Sequence, residues 1–117
     1  MSDSELVSDE LIHVESVDHF KRVVDREGVV LVDFYADWCG PCKMLEPIVE
    51  TIAADTDALV AKVDIDEFQQ LAGAYQVQSV PNVVFFADGE PKKRVVGMRG
   101  EEVLRRVVED LSASSDR

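Results

Sequence analysis

Two cysteines separated by two residues are the reactive pair of this 117-residue chain. Cys39 and Cys42 lie in the segment WCGPCK at 38–43. A thiolate can attack a disulfide sulfur to give a mixed disulfide, and a second thiol nearby can then displace the partner. The spacing therefore predicts dithiol–disulfide exchange, with Cys39 as the nucleophile and Cys42 as the resolving thiol.

The pair stands between a predicted strand and a predicted helix. Residues 29–36 form a near-continuous apolar run, which is typical of a strand covered on both faces. The first turn of the following helix has unpaired N–H groups and a positive dipole end, so a thiolate there is stabilised and its pKa falls. Pro41 suits that turn, and Gly40 leaves the site open. We expect Cys39 to be the more exposed and nucleophilic thiol and Cys42 to be buried.

The cysteine pair also has alternative interpretations. A structural disulfide closing so short a ring would stabilise the fold by only about 2 kcal/mol. A zinc site needs two more soft ligands, and His13 and His19 lie in a different element without ligand spacing, so no metal is expected. A binding module with incidental thiols stays open, as does an oxidase or isomerase on the same fold.

Charge and hydropathy exclude several classes of function. The chain has 24 acidic and 12 basic residues, a formal net charge of −12, so no nucleic-acid partner is expected. No apolar run approaches the roughly 18 residues of a membrane span. The first ten residues carry acids where an export signal needs cations and then an apolar run, which predicts a cytoplasmic protein with no membrane partner. The acidity serves either solubility or adaptation to high salt.

The remaining pattern predicts one α/β domain. Residues 1–10 are expected to form a flexible acidic extension, 11–111 the domain, and 112–117 a frayed tail. The order βαβαβα followed by ββα implies a central sheet with helices on both sides. Strands are predicted at 11–14, 29–36, 59–64, 83–87 and 91–96, the last an exposed edge, and helices from the cap at 16 to 28, along 42–53, from the cap at 66 to 75, and along 103–111.

One acid, Asp33, interrupts the apolar run of the strand before the cysteines. A buried carboxylate is costly unless it is paired or protonated, so burial is expected to raise its pKa. Because Asp33 precedes Cys39 by six residues, it can lie below the cysteines and exchange a proton with Cys42.

The block FYADWCGPCK at 34–43 resembles the active-site signature of the thioredoxin family, as do VP at 80–81, DG at 88–89 and VG at 96–97. The resemblance extends over about 11–111. It implies the thioredoxin fold, a central mixed β-sheet of five strands flanked by four helices. It also implies a monomeric protein-disulfide reductase that needs no cofactor, acts on disulfide-containing proteins and is recharged by a thioredoxin reductase.

The resemblance gives roles to further residues. Asp33 matches a buried acid of the family, and Lys62 matches a lysine near that acid; a surface charge at the end of a strand is the alternative for Lys62. Pro81 matches a cis-proline that faces the cysteines, and Val80 a residue whose backbone binds an extended substrate segment. The remaining substrate-binding residues are expected to be Trp38, Gly40, Pro41 and Gly97.

Three residues depart from the family pattern. Asn82 stands where family members often carry Thr, and Tyr35 where Trp is frequent. Glu46 adds a charge beside the active helix. Together with the overall acidity, the Glu46 charge is expected to narrow the set of partners that the protein accepts.

Overall fold

The computed structural model describes residues 11–115, and five strands and four helices follow one another in this part of the chain. The predicted extension at 1–10 lies outside the described residues. The elements are β1 (Ile12–His13), α1 (Val17–Val24), β2 (Val29–Tyr35), α2 (Gly40–Asp55), β3 (Leu59–Asp64), α3 (Gln69–Ala74), β4 (Asn82–Ala87), β5 (Glu90–Val96) and α4 (Glu101–Ser115). The predicted α/β order is confirmed, and each strand end lies within one residue of its prediction.

The strands form one mixed sheet in the order β1-β3-β2-β4-β5. β1, β3 and β2 run parallel to one another, whereas β4 is antiparallel to β2 and β5 is antiparallel to β4. β2 is the central strand and pairs along its length with β3 and β4. This position explains its apolar sequence, because helices cover both of its faces.

Side chains of β2 alternate between two packed faces of the sheet. Val30, Val32 and Phe34 point to the first, which α1 and α3 cover; we call it the aromatic face. It contains Phe20, Phe34, Tyr75 and Phe86, whose ring centroids lie 5.6–6.1 Å apart in the contacting pairs. Leu31 and Asp33 point to the second, which α2 and α4 cover with Leu45, Val49, Ile52, Leu104 and Val107; we call it the redox face.

The first helix begins as predicted and ends earlier. The Ser16 hydroxyl accepts a hydrogen bond from the His19 N–H at 2.9 Å, which caps the helix. α1 ends at Val24 and not at Gly28. Gly28 has φ of 90° and exchanges two hydrogen bonds with Asp88: its N–H donates to the carboxylate at 2.9 Å and its carbonyl accepts from the Asp88 N–H at 3.0 Å. The glycine therefore joins the start of β2 to the β4–β5 turn.

The helix predicted to start from Asp66 is shorter than expected. The Asp64 carboxylate accepts the Asp66 N–H at 2.9 Å, which holds residues after β3 in a turn, and α3 begins only at Gln69. The prediction that Asp66 caps this helix is therefore wrong. The Asp66 carboxylate instead accepts a hydrogen bond from the Trp38 indole.

α4 is longer than predicted, whereas the edge strand and its turn match their predictions. α4 continues to Ser115, so most of the predicted tail at 112–117 is helical, because no glycine or proline interrupts the segment. β5 is an edge strand with exposed Lys92, Lys93 and Arg94, as predicted. Asp88 and Gly89 have φ of 51° and 89°, which confirms the two-residue hairpin turn.

Candidate active site at the start of the second helix

Cys39 and Cys42 are joined by a disulfide at the amino end of α2, with their Cα atoms 5.3 Å apart. Cys39 is the N-cap residue and has extended backbone geometry, while Cys42 lies in the first helical turn. The N–H of Cys42 donates to the Cys39 sulfur at 3.1 Å. Pro41 occupies the first turn, where no N–H is required. One backbone donor of the helix end therefore points at the sulfur of Cys39, the residue expected to be the nucleophile.

The two cysteines are almost equally buried. In the disulfide form Cys39 is 4% exposed and Cys42 is 3% exposed. Cys42 is buried as predicted, and the greater exposure predicted for the Cys39 thiol concerns the reduced form. Both cysteines pack with Ala36 and contact Val80. Trp38, 69% exposed, is the surface side chain beside them.

Trp38 is held by a residue that the sequence analysis did not assign to the site. Its indole Nε1–H donates to the Asp66 carboxylate at 2.9 Å. Trp38 follows β2 and Asp66 follows β3, and the carboxyl ends of neighbouring parallel strands meet at one edge of a sheet. This contact could be predicted from the sequence only if β2 and β3 were already known to be neighbouring strands.

The predicted substrate-binding positions from the second half of the chain meet near the cysteines. The peptide bond between Val80 and Pro81 is cis, and Val80 packs against the cysteine pair. The N–H of Gly97 donates to the Pro81 carbonyl at 2.8 Å, and Gly97 has φ of 89°, which favours glycine. The hydrogen bond fixes the end of β5 beside the cis bond.

Asn82, a departure from the family pattern, anchors the same region. It is buried, its amide donates to the Ser79 carbonyl at 3.3 Å, and its side-chain oxygen accepts from the Arg94 guanidinium at 2.8 Å. Arg94 also donates to the Tyr75 carbonyl. Asn82, which stands where family members often carry Thr, thus connects the loop before the cis bond to the edge strand.

Asp33 lies on the redox face of β2, the face that α2 and α4 cover. Its neighbours in register are Lys62 on β3 and Val83 on β4. The side chain is fully buried, and neither carboxylate oxygen has a hydrogen-bond partner among the described residues. Burial raises the pKa of Asp33 from 3.8 to about 7; the positive charge of Lys62 opposes this rise and the negative charge of Glu46 adds to it. Asp33 can therefore bind or release a proton near neutral pH.

Lys62 is buried beside Asp33, which excludes the alternative of a surface charge at the strand end. It is 5% exposed, and its ammonium lies 4.1 Å from the centre of the Tyr35 ring. The ammonium forms an ion pair with the Glu46 carboxylate of α2. Glu46 follows Cys42 by four residues and so shares its helix face, a signal present in the sequence.

A surface cleft of about 240 Å³ runs along this group of side chains. Its walls include Cys42, Glu46, Lys62 and His13. The cleft brings solvent beside Cys42 and the Lys62–Glu46 ion pair.

Comparison with known proteins decides the family. The thioredoxin family model matches residues 11–110. The chain belongs to the thioredoxin family. Its mixed sheet of five strands and its four helices are the thioredoxin fold.

Members of this family resemble the chain along almost its whole length. It is 42% identical over 113 residues to a thioredoxin of Mycobacterium tuberculosis, covering 95% of this chain and 96% of that protein. The solved structure of a mutant thioredoxin from Halobacterium salinarum is 51% identical, with a TM-score of 0.87 and coverage of 90% of this chain and 93% of that one. A thioredoxin structure from Trypanosoma brucei brucei is 28% identical, with a TM-score of 0.82 and coverage of 89% and 92%.

Family membership and the bonded cysteine pair together establish the activity. The protein is a protein-disulfide reductase that acts by thiol–disulfide exchange on disulfide-containing proteins, and Cys39–Cys42 is its redox-active disulfide. The alternatives of a purely structural bridge, a zinc site and a module with incidental thiols are set aside. Among the described residues, no helix is long and apolar enough to cross a membrane.

Proposed function

We propose that Cys39 attacks the disulfides of partner proteins, that Cys42 resolves the mixed disulfide, and that Asp33 accepts the proton of Cys42. In the first step the Cys39 thiolate bonds to one substrate sulfur, and the other leaves as a thiolate that takes up a proton. In the second step the Cys42 thiol gives its proton to Asp33 and attacks the Cys39 sulfur. The second substrate sulfur then leaves and is protonated, so two electrons and two protons reach the substrate.

The hydrogen bond from the Cys42 N–H to the Cys39 sulfur, at 3.1 Å, is the observation that carries this proposal. In the reduced protein the same donor and the helix dipole favour a thiolate on Cys39. Cys42 lies within the helix, so it receives less of this stabilisation and needs a base. This asymmetry gives the two sulfurs their different roles.

Asp33 suits the role of that base because of its raised pKa. A carboxylate with an ordinary pKa is a poor acceptor for a thiol proton, whereas one with a pKa of about 7 is matched to proton transfer near neutral pH. Lys62 supports the ionised form of Asp33 from the neighbouring strand. The cleft beside Cys42 and Lys62 supports exchange of the proton with solvent.

The substrate segment is proposed to bind in extended form along the backbone at Val80 and Pro81. This mode uses main-chain hydrogen bonds from an exposed strand-like segment and leaves the partner's cysteine above the pair. Trp38 provides a large exposed apolar surface next to Cys39. Gly97 lies beside Pro81, and Gly40 has open space around its Cα; together with Pro41 they leave room for a bulky partner.

We infer that a thioredoxin reductase returns the disulfide to the dithiol. The chain is 41% identical over 102 residues to the protein of Mycobacterium leprae named bifunctional thioredoxin reductase/thioredoxin, covering 86% of this chain and 22% of that protein. We also infer that the protein acts as a monomer, because one chain supplies the whole site, and in the cytoplasm, where thiols are kept reduced.

Trapping of the mixed disulfide tests the two cysteine roles. Reduced Cys42→Ser protein is mixed with insulin and the products are separated by mass. A covalent one-to-one adduct that dithiothreitol releases is expected, because the resolving thiol is absent. Cys39→Ser is the matched control and is expected to give no adduct. Accumulation of an adduct with Cys39→Ser, or normal turnover by Cys42→Ser, would contradict the assignment.

A further inference from the structure

The charged groups near Asp33 come from both neighbouring elements. Lys62 is its register neighbour on β3, and Glu46 reaches Lys62 from α2. The register neighbour of Asp33 on the other side, Val83 on β4, is apolar and belongs to the redox-face core. The remaining titratable groups along the adjoining cleft are His13, Tyr35, Asp37, Cys42 and Lys43. Among all these charges, those of Lys62 and Glu46 are the ones that act on the Asp33 carboxyl.

Two acidic residues, Asp33 and Glu46, are neighbours of Lys62, and the Lys62 ammonium binds one of them. Its ammonium forms an ion pair with Glu46, whereas both Asp33 oxygens lack a hydrogen-bond partner among the described residues. A hydrogen bond from Lys62 would favour the ionised form of Asp33. Because Glu46 holds the ammonium, Asp33 is left without that stabilisation.

We propose that Glu46 is a positioning residue that holds the Lys62 ammonium away from Asp33 and thereby keeps Asp33 an effective proton acceptor for Cys42 near neutral pH. This inference rests on the proposed proton-acceptor role of Asp33. Glu46 acts through Lys62, whose side chain it contacts, and through its own charge.

Removal of the Glu46 charge is expected to lower the pKa of Asp33 for two reasons. The negative charge that opposes ionisation of Asp33 is lost, and Lys62 becomes free to bind Asp33. Both effects lower the pKa of Asp33. A weaker base accepts the Cys42 proton less readily, so resolution of the mixed disulfide becomes slower at pH 8, and the midpoint of its pH profile moves towards acid.

Two charge-neutralising variants on the same helix test this inference. Glu46→Gln preserves the shape of the side chain and removes its charge. Glu50→Gln removes an equal charge from an exposed position one turn further along α2 and is the control. The pKa of Asp33 is measured by carboxyl-carbon NMR in the oxidised full-length proteins. Resolution is followed from pH 5 to 9 after reduced protein meets oxidised glutathione, using the fluorescence of Trp38, the single tryptophan.

For Glu46→Gln we expect the pKa of Asp33 to fall by about one unit, the lower end of what a neighbouring opposite charge produces. The midpoint of the resolution profile should move by a similar amount, and the rate at pH 8 should fall roughly threefold. Glu50→Gln should leave both quantities unchanged. In an Asp33→Asn background, Glu46→Gln should have no further effect on the profile.

The outcomes separate this inference from the proposed function on which it rests. If Asp33→Asn slows resolution while Glu46→Gln and Glu50→Gln give the same Asp33 pKa and the same midpoint, the role of Glu46 is refuted and that of Asp33 stands. If Asp33→Asn resolves the mixed disulfide as fast as the unchanged protein, the proton-acceptor role itself is refuted.

Discussion

The two faces of the sheet bury different kinds of side chain. The aromatic face is filled by rings and aliphatic groups. Its buried polar residue, Asn82, forms hydrogen bonds through both the nitrogen and the oxygen of its side-chain amide. The redox face buries two charged residues, Asp33 and Lys62. Asp33 lacks any hydrogen-bond partner among the described residues. One face thus stabilises the fold, whereas the other sacrifices some stability to keep a buried titratable group in the core.

The largest expected effect comes from the cysteine pair at the start of α2. Cys39→Ser removes the nucleophile, so insulin-reduction activity should fall by at least about 1000-fold, because no other group can form the mixed disulfide. The measurement is turbidity of reduced insulin with dithiothreitol as reductant, corrected for the uncatalysed rate. Phe20→Leu on the aromatic face is the control and should keep its activity. If Cys39→Ser reduced insulin at a rate within tenfold of that of the unchanged protein, the contrast between the cysteine pair and the aromatic face would be contradicted.

Phe20→Ala should show the converse behaviour. Phe20 is buried and contacts Tyr75 and Phe86, so truncation should lower the free energy of unfolding by about 3–5 kcal/mol. Urea unfolding of the oxidised proteins measures this loss. The rate of disulfide exchange per folded molecule should remain unchanged, since Phe20 lies on the opposite side of the sheet. A loss below about 1 kcal/mol, or a slower exchange rate, would contradict the division between the faces.

Asp33 should make the stability of the protein depend on pH. Because its pKa is raised to about 7 in the folded state, the native protein binds one more proton than the unfolded chain between about pH 4 and pH 7. This contribution to stability is complete below the unfolded pKa and is lost as pH rises through the folded one. Between pH 5 and pH 6.5 the free energy of unfolding should therefore fall by about 2 kcal/mol from this group.

Asp33→Asn tests that dependence without relying on absolute stabilities. Urea titrations at pH 5 and pH 6.5 should show that the variant lacks the fall of about 2 kcal/mol attributed to Asp33. Its stability relative to the unchanged protein should consequently improve as pH rises. Identical pH dependence in the two proteins would mean that Asp33 is ionised in the folded state, contrary to its burial.

The smallest effect concerns the hydrogen bond between Trp38 and Asp66. Both side chains are exposed, so Asp66→Ala should lower the free energy of unfolding by only about 0.5–1 kcal/mol. Glu67→Ala removes a neighbouring exposed acid and is the control. The fluorescence anisotropy of Trp38 should fall in Asp66→Ala alone, because the indole loses its anchor. Equal anisotropy in both variants would show that the hydrogen bond does not hold the ring.

The sequence predicts best those features that depend on neighbouring residues. The apolar run at 29–36 identifies the central strand because a strand covered on both faces needs apolar side chains throughout. Asp33 stands out within that run, and its burial follows from the run alone. Pro41 and the cysteine spacing place the redox pair at a helix start, since the helix end has local requirements.

The features that sequence reasoning missed depend on contacts between distant elements. Glu46 and Lys62 lie sixteen residues apart, and Trp38 and Asp66 twenty-eight residues apart. Their pairing is set by the register of β2 on β3 and by the way α2 crosses them, which no periodicity records. The burial of Cys39 in the disulfide form was also not predicted.

Alkylation of the reduced protein across pH tests the central claim most directly. The rates at which iodoacetamide modifies Cys39 and Cys42 are followed by peptide mass spectrometry from pH 5 to 10. The account predicts that Cys39 reacts first and that its rate reaches half its maximum well below pH 8.5, the pKa of an unperturbed thiol. Equal reactivity of the two cysteines, with a midpoint near pH 8.5 for both, would contradict it.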